Sequence, residues 1–178
     1  SLFFGKPSSM FLNLETIPTF YKGYVKLVEH PDIIQALRIS GYRTMELLHS
    51  VPREKEDFRY AEGKWTIREV LCHMLDAERI FSYRALRFAR NDRTPLAGFD
   101  EQAYAPHLNA SSRSLAQIGD EMEHLRTCTV DLFKSFSEEM LTRKGTANNN
   151  ELTVGAIGII IAGHETHHCK VIRERYLS

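Results

Sequence analysis

The feature that most constrains this 178-residue chain is the stretch from Leu152 to Gly163. It is twelve residues without a charge, running straight into Gly163-His164-Glu165-Thr166-His167-His168. A bilayer span needs roughly 20 apolar residues. The stretch therefore predicts a buried core helix and no membrane span, with Thr153 as its N-cap and its end near Tyr176.

Three further segments carry apolar residues at helical spacing, and strand-like alternation is almost absent. The first runs from about Asp32 to Ser50, with Ile33, Leu37, Ser40, Thr44, Leu47 and Leu48 on one face and Pro31 and Pro52 at its limits. The second opens on Thr66-Ile67-Arg68-Glu69, a capping box in which the threonine and the glutamate each satisfy an otherwise orphaned backbone N–H. Its stripe continues through Val70, Leu71, Met74, Phe81, Ala85 and Phe88 and ends near Asn91. The third covers about Ser114 to Phe136. Four helices joined by loops predict an all-α protein, a four-helix up-and-down bundle. It reads as one domain over residues 1–178, in which residues 1–30 form an N-terminal extension with room for one more helix. Lys144 to Asn150 reads as loop by composition. The connections are long for a bundle and are expected to hold short helices or to line a site.

Composition narrows the function classes. Basic and acidic side chains balance at 23 each, which argues against a broad nucleic-acid footprint. Three cysteines, Cys72, Cys128 and Cys169, are an odd number without CxxC spacing, so no disulfide framework is expected and a reducing cytoplasm fits best. The N-terminal residues lack a basic region followed by a sustained apolar one, so no signal peptide is expected. Eight histidines is a high count, and it points to where the chemistry lies.

On the fourth helix Ile157, Ile160, Ile161, Val171 and Ile172 define an apolar seam. His164 and His168 fall inside it, about 40° apart at i, i+4 spacing. Two imidazoles side by side in an apolar core are costly unless each finds a partner, and one divalent metal partners both. His73, at the edge of the second helix's stripe, is the candidate third ligand. Taken alone it reads as a core or surface histidine with a satisfied hydrogen bond. Three histidines would leave an open position for water or substrate, as in a catalytic zinc-type site, and nitrogen ligation suits zinc, nickel or iron alike. Asp76, one turn beyond His73, is a candidate to orient a ligand imidazole from behind, with a solvated or salt-bridged aspartate as the equal alternative. His167 is a neighbour at the seam's edge; His30, His49, His107 and His124 lack this geometry. Cys72 and Cys169 adjoin proposed ligands but point about 100° away, so buried, inert thiols are expected.

His164-Glu165-Thr166-His167-His168 also satisfies H-E-x-x-H, with Glu165 as would-be base of a metallopeptidase. The extended form of that pattern needs a glycine at Val171 and a histidine at Glu174 and finds neither. A peptidase is the less favoured reading.

The segment Trp65-Thr66-Ile67-Arg68-Glu69-Val70-Leu71-Cys72-His73-Met74-Leu75-Asp76-Ala77-Glu78 resembles the second-helix signature of the DinB-like (DinB/YfiT-like) metalloenzyme superfamily. Phe99-Asp100-Glu101-Gln102-Ala103-Tyr104 is similar to its following Phe-Asp-Glu segment, and His164 with His168 to its fourth-helix H-x-x-x-H. The resemblance spans about residues 30 to 177. It implies a four-helix bundle, commonly a homodimer, with a metal on His73, His164 and His168. Some relatives transfer a low-molecular-weight thiol such as bacillithiol, mycothiol or glutathione, or isomerise a substrate with thiol help.

The combined expectation is a metal-dependent enzyme acting on a small molecule, as a thiol-dependent S-transferase or a hydrolase. Zinc or nickel is the expected ion, with iron or manganese as further options. Tyr104 and His107 are candidates to line the pocket. The competing reading is a metal-binding or stress-response module without turnover.

Overall fold

A computed structural model describes residues 13–178. Four long helices dominate it: α2 (Ile33–Ser50), α3 (Ile67–Ala89), α5 (Leu115–Lys134) and α7 (Val154–Val171). Between and before them lie the short helices α1 (Thr19–Val25), α4 (Glu101–Tyr104) and α6 (Glu138–Thr142). The expected helix in the N-terminal extension is thus α1; residues 1–12 of that extension lie outside the described residues. No helix among the described residues is long and apolar enough to cross a membrane.

Each long helix starts on a side chain that accepts from an orphaned N–H: Asp32 from Gln35, Thr66 from Glu69, Ser114 from Gln117 and Thr153 from Ala156. Thr66/Glu69 and Ser114/Gln117 are both complete capping boxes. The last helix continues to Tyr176 as expected, but its final turn, Ile172–Tyr176, is wound as a π-helix.

The expected bundle is present, with one refinement in its connectivity. Gly158 lies against Ile33, and Glu165 bonds Thr44, so α7 runs parallel to α2. Tyr176 meets Trp65 while His164 meets Phe81, so α3 runs against α7. Arg126 reaches Ser40 and Gly119 lies against Leu48, so α5 opposes α2; Glu121 and Thr129 meet Arg79 and Ser82, so α5 follows α3. The order of directions is up, down, down, up, rather than strict alternation. Two consecutive helices with one direction need a connection that returns along the bundle. Residues 90–114 supply it: α3 is about 34 Å long, and 25 extended residues reach about 80 Å.

This overpass is anchored by a hairpin. The segment expected as loop at Lys144–Asn150 is strand β1 (Lys144–Ala147), a turn, and the start of strand β2 (Asn150–Thr153). Asn148 and Asn149 take φ of 49° and 60°, the left-handed conformation a two-residue hairpin turn needs and asparagine tolerates. Strands of four residues are too short to show alternation, which is why composition alone indicated loop. Leu96 N–H donates to Thr146 O at 2.9 Å, and Asn148 N–H to Leu96 O at 3.0 Å, so the overpass covers the edge of β1. Gly98 permits the approach, since a Cβ there would sit 2.4 Å from Asn148 Oδ1.

All four long helices meet at Arg126 of α5. Its guanidinium bonds both carboxylate oxygens of Glu78 on α3 at 2.9 and 2.8 Å and Ser40 Oγ on α2 at 3.0 Å. It also lies 2.7 Å from Glu165 Oε2 on α7. Burial pulls Arg126 toward the neutral form, but Glu165 and Glu78 outweigh it and hold the guanidinium charged.

Candidate metal centre

The three histidines converge. His164 Nε2 lies 3.1 Å from His73 Nε2 and 3.1 Å from His168 Nε2, and all three ligand atoms fall within 4.8 Å of one another. The i, i+4 pair comes from α7 and the third ring from the antiparallel α3, so the site depends on the register between those two helices. Aromatic neighbours fix the rings: Trp65 lies over His73 with centroids 5.0 Å apart, and Tyr24 meets His164 edge-on at 5.3 Å. Gly163 makes room for α1 here, since a Cβ would stand 2.2 Å from Tyr24 O. Tyr176 Oη donates to Trp65 O at 2.6 Å, so the π-turn holds the residue that covers His73.

Three nitrogens drawn this close suit a cation better than a proton network. Ligation at about 2.0–2.1 Å in a tetrahedral set separates nitrogens by about 3.3 Å, near the two observed contacts. Burial lowers the proton affinity of all three rings: of His73 against the opposing pull of Glu101, of His164 far below the ordinary value, and of His168 to about 3. Neutral imidazole is the form that ligates.

A cavity of about 220 Å³ opens on the histidines. Phe20, Tyr21 and Tyr24 of α1 form one wall, Ala77, Phe81 and Arg84 of α3 another, and the overpass adds Phe99, Glu101 and Gln102. Glu101 is half-buried and lines the cavity; it opposes the burial that lowers the His73 pKa, and it adds to the burial that raises that of Tyr24. The expectation that a long connection lines the site holds, with different residues. Tyr104 is 44 % exposed and packs on Phe99, and His107 is exposed; neither lines the cavity. Glu101 belongs to the Phe-Asp-Glu segment quoted above. Its sequence signal is the N-cap Asp100, whose side chain accepts from the Gln102 and Ala103 N–H groups and starts α4 at Glu101.

Asp76 stands apart from the imidazoles: no hydrogen bond joins it to a histidine. Burial raises its pKa, and its charged neighbours are Arg79, Arg113 and Glu121. Cys72 and Cys169 are buried and lie outside the histidine group. Burial raises both thiols, Cys169 to about 12, so neither is a ready nucleophile. Glu165 points away from the cavity, accepting from Thr44 Oγ1 at 2.7 Å and paired with Arg126. The peptidase pattern therefore has its would-be base locked in the bundle interior. His167 packs against Tyr24 and His168 outside the cluster.

The family model described as the DinB superfamily matches residues 36–172. A protein named "Putative metal-dependent hydrolase" from Oceanobacillus iheyensis is 27% identical over 135 residues, 74% of this chain and 76% of that protein. The solved structure of YfiT from Bacillus subtilis, described as a probable metal-dependent hydrolase with an unusual four-helix bundle topology, superposes with a TM-score of 0.71 at 19% identity. The match covers 80% of this chain and 82% of YfiT. At that identity the likeness is one of fold.

Proposed function

The chain belongs to the DinB superfamily, and on that premise we propose that it is a metal-dependent hydrolase of a small molecule, with the ion held by His73, His164 and His168. The observation that carries the reading is the convergence of three Nε2 atoms, from buried His73 and His164 and half-buried His168, on a cavity that also holds a carboxylate. The name of the Oceanobacillus iheyensis relative supports the same class. Zinc or nickel is the proposed ion, because both accept an all-imidazole set. Once bound, it supplies Lewis acidity and makes hydroxide available near neutral pH.

The chain's own residues do the rest. Glu101, in the lining of the same cavity, accepts a proton from the attacking water and returns it to the leaving group. Trp65, Tyr24 and Phe81 keep the histidine rings oriented and limit the access of bulk water. Hydrolysis is favoured over transfer of an external thiol because the cavity carries a carboxylate to take a proton from water, and because the Oceanobacillus iheyensis relative is named a metal-dependent hydrolase.

Metal analysis of the purified protein beside His73→Ala, His164→Ala and His168→Ala tests the ion site. One ion per chain in the wild type and its loss in each variant are expected; unchanged metal content would sink the triad. Zinc- and nickel-loaded protein is then screened with esters and amides in water, and with thiols plus electrophiles. Turnover that requires a thiol would replace hydrolysis with S-transfer. No turnover at full occupancy would leave a metal-binding module.

A further inference from the structure

Arg84 is only 3 % exposed, yet it makes no ion pair among the described residues. Residues 1–12 contain no aspartate or glutamate that could serve it. Its one hydrogen bond among the described residues runs from Nη2 to Ala97 O at 3.1 Å. The guanidinium carbon sits 5.8 Å from the ring centroids of both Phe81 and Phe99, so the group is held between two aromatic side chains. Arg126, the other deeply buried arginine, shows the contrast, with two carboxylates around it. A buried cation without a counter-charge is costly, and a planar guanidinium with free N–H groups is shaped to take a carboxylate in a fork.

The place of this group gives it meaning. His73, Ala77, Phe81 and Arg84 follow one another on α3 and line the same cavity. Eleven residues at about 100° each bring Arg84 back to within about 20° of His73, roughly three turns farther along the helix. Side chains tilt toward a helix's N-terminus, so Arg84 leans back toward the histidines. The cavity's acidic residue, Glu101, makes no ion pair with Arg84 among the described residues. One end of the cavity is therefore a candidate metal centre, the middle is aromatic, and the far end is a cation awaiting an anion.

We propose that Arg84 is the anchor for a substrate carboxylate, so that the protein's substrate is a small acid carrying an apolar or aromatic body. The cavity's volume, about 220 Å³, lies below the range of about 300–1,000 Å³ typical of drug-sized ligands and fits a compact molecule. This inference rests on the small-molecule reading above but not on the ion, because the anchor lies at the opposite end of the cavity.

The test uses benzoate and its neutral analogue benzamide as probes. Their binding is measured calorimetrically to wild-type protein, Arg84→Gln, Arg84→Lys and His73→Ala, each with and without added zinc. The wild type is expected to prefer benzoate by about tenfold or more, the worth of one charged hydrogen-bonded contact. Arg84→Gln should lose that preference while keeping benzamide binding, and Arg84→Lys should keep part of it. His73→Ala should retain the preference even where zinc binding is lost, which separates the anchor from the metal reading. Equal affinity of the wild type for both probes would overturn the proposal. So would a preference that survives in Arg84→Gln but vanishes in His73→Ala, since the anion would then be sitting at the ion. Parallel loss of both probes in Arg84→Gln and Arg84→Lys would also overturn it, making Arg84 a support for the overpass alone.

Discussion

Arg126 Nη2 and Glu165 Oε2 stand 2.7 Å apart in the bundle interior, and this contact turns the residue after His164 away from the cavity. A glutamate so placed is structural. Glu165→Gln is expected to leave metal content and hydrolytic turnover within a few-fold of wild type. If Glu165 were a general base, turnover would fall by about 10²–10⁴, and steady-state kinetics on the loaded protein would read that loss directly.

Arg126→Met removes the cation and leaves Glu78 and Glu165 buried together. Breaking a buried pair from one side costs about 3–5 kcal/mol, and here four helices share the partner. Urea unfolding should show a loss of that size, with a lower midpoint. A change under about 1 kcal/mol would mean that the network is not what joins the helices.

The three imidazoles link stability to pH in the metal-free protein. Their folded-state pKa values lie below the unfolded value, His168 at about 3. Above about pH 6.5 both states are neutral and the groups contribute no pH dependence. As pH falls from there toward 3, the unfolded state takes up protons that the folded state refuses, so stability falls with decreasing pH. Thermal midpoints of the metal-free protein across this range should decline, and less steeply in His168→Gln. A flat profile would contradict the burial of the cluster.

Glu101→Gln keeps the size of the side chain and removes the base. Turnover should fall by about 10²–10⁴ with zinc or nickel content unchanged. Equal activity in the variant would remove Glu101 from the chemistry.

Trp65 is the chain's single tryptophan and covers His73 with ring centroids 5.0 Å apart. Nickel binding should therefore quench the intrinsic fluorescence of the wild type and not of His73→Ala. At ligand concentrations near 100 times Kd, binding also stabilises the fold by about 2.7 kcal/mol. A chelator should reverse both effects, and a signal that ignores nickel would argue against ion binding beside Trp65.

Much of this was legible from residue order because helices are local. The Thr66/Glu69 capping box, the stripes of α2 and α3 and the apolar start of α7 each follow from neighbours within a few turns. So does the joint orientation of His164 and His168, which the 3.6-residue period fixes by itself. The hairpin at Lys144–Thr153 was hidden because its strands are four residues each, although Asn148-Asn149 is a turn signal once a hairpin is sought. The stripe His73, Ala77, Phe81, Arg84 was also open to inspection, but an arginine on an apolar face is indistinguishable from one that reaches solvent until its surroundings are seen.

Sequence by itself determined which long helices form and which apolar side chains each one presents inward, since both depend on spacing along one helix. Tertiary structure alone decided that α3 opposes α7 in the register that joins His73 to His164, and that residues 90–114 return along the bundle and bring Glu101 to the cavity. It also decided the fates of two charged residues that look alike in the sequence. Glu165 is neutralised by Arg126 from a helix 39 positions away, while Arg84 is left without a counter-charge among the described residues, at the end of the cavity away from the histidines. Those outcomes depend on which groups from distant segments meet, because the cost of a buried charge is set by its partners in space and not by its neighbours along the chain.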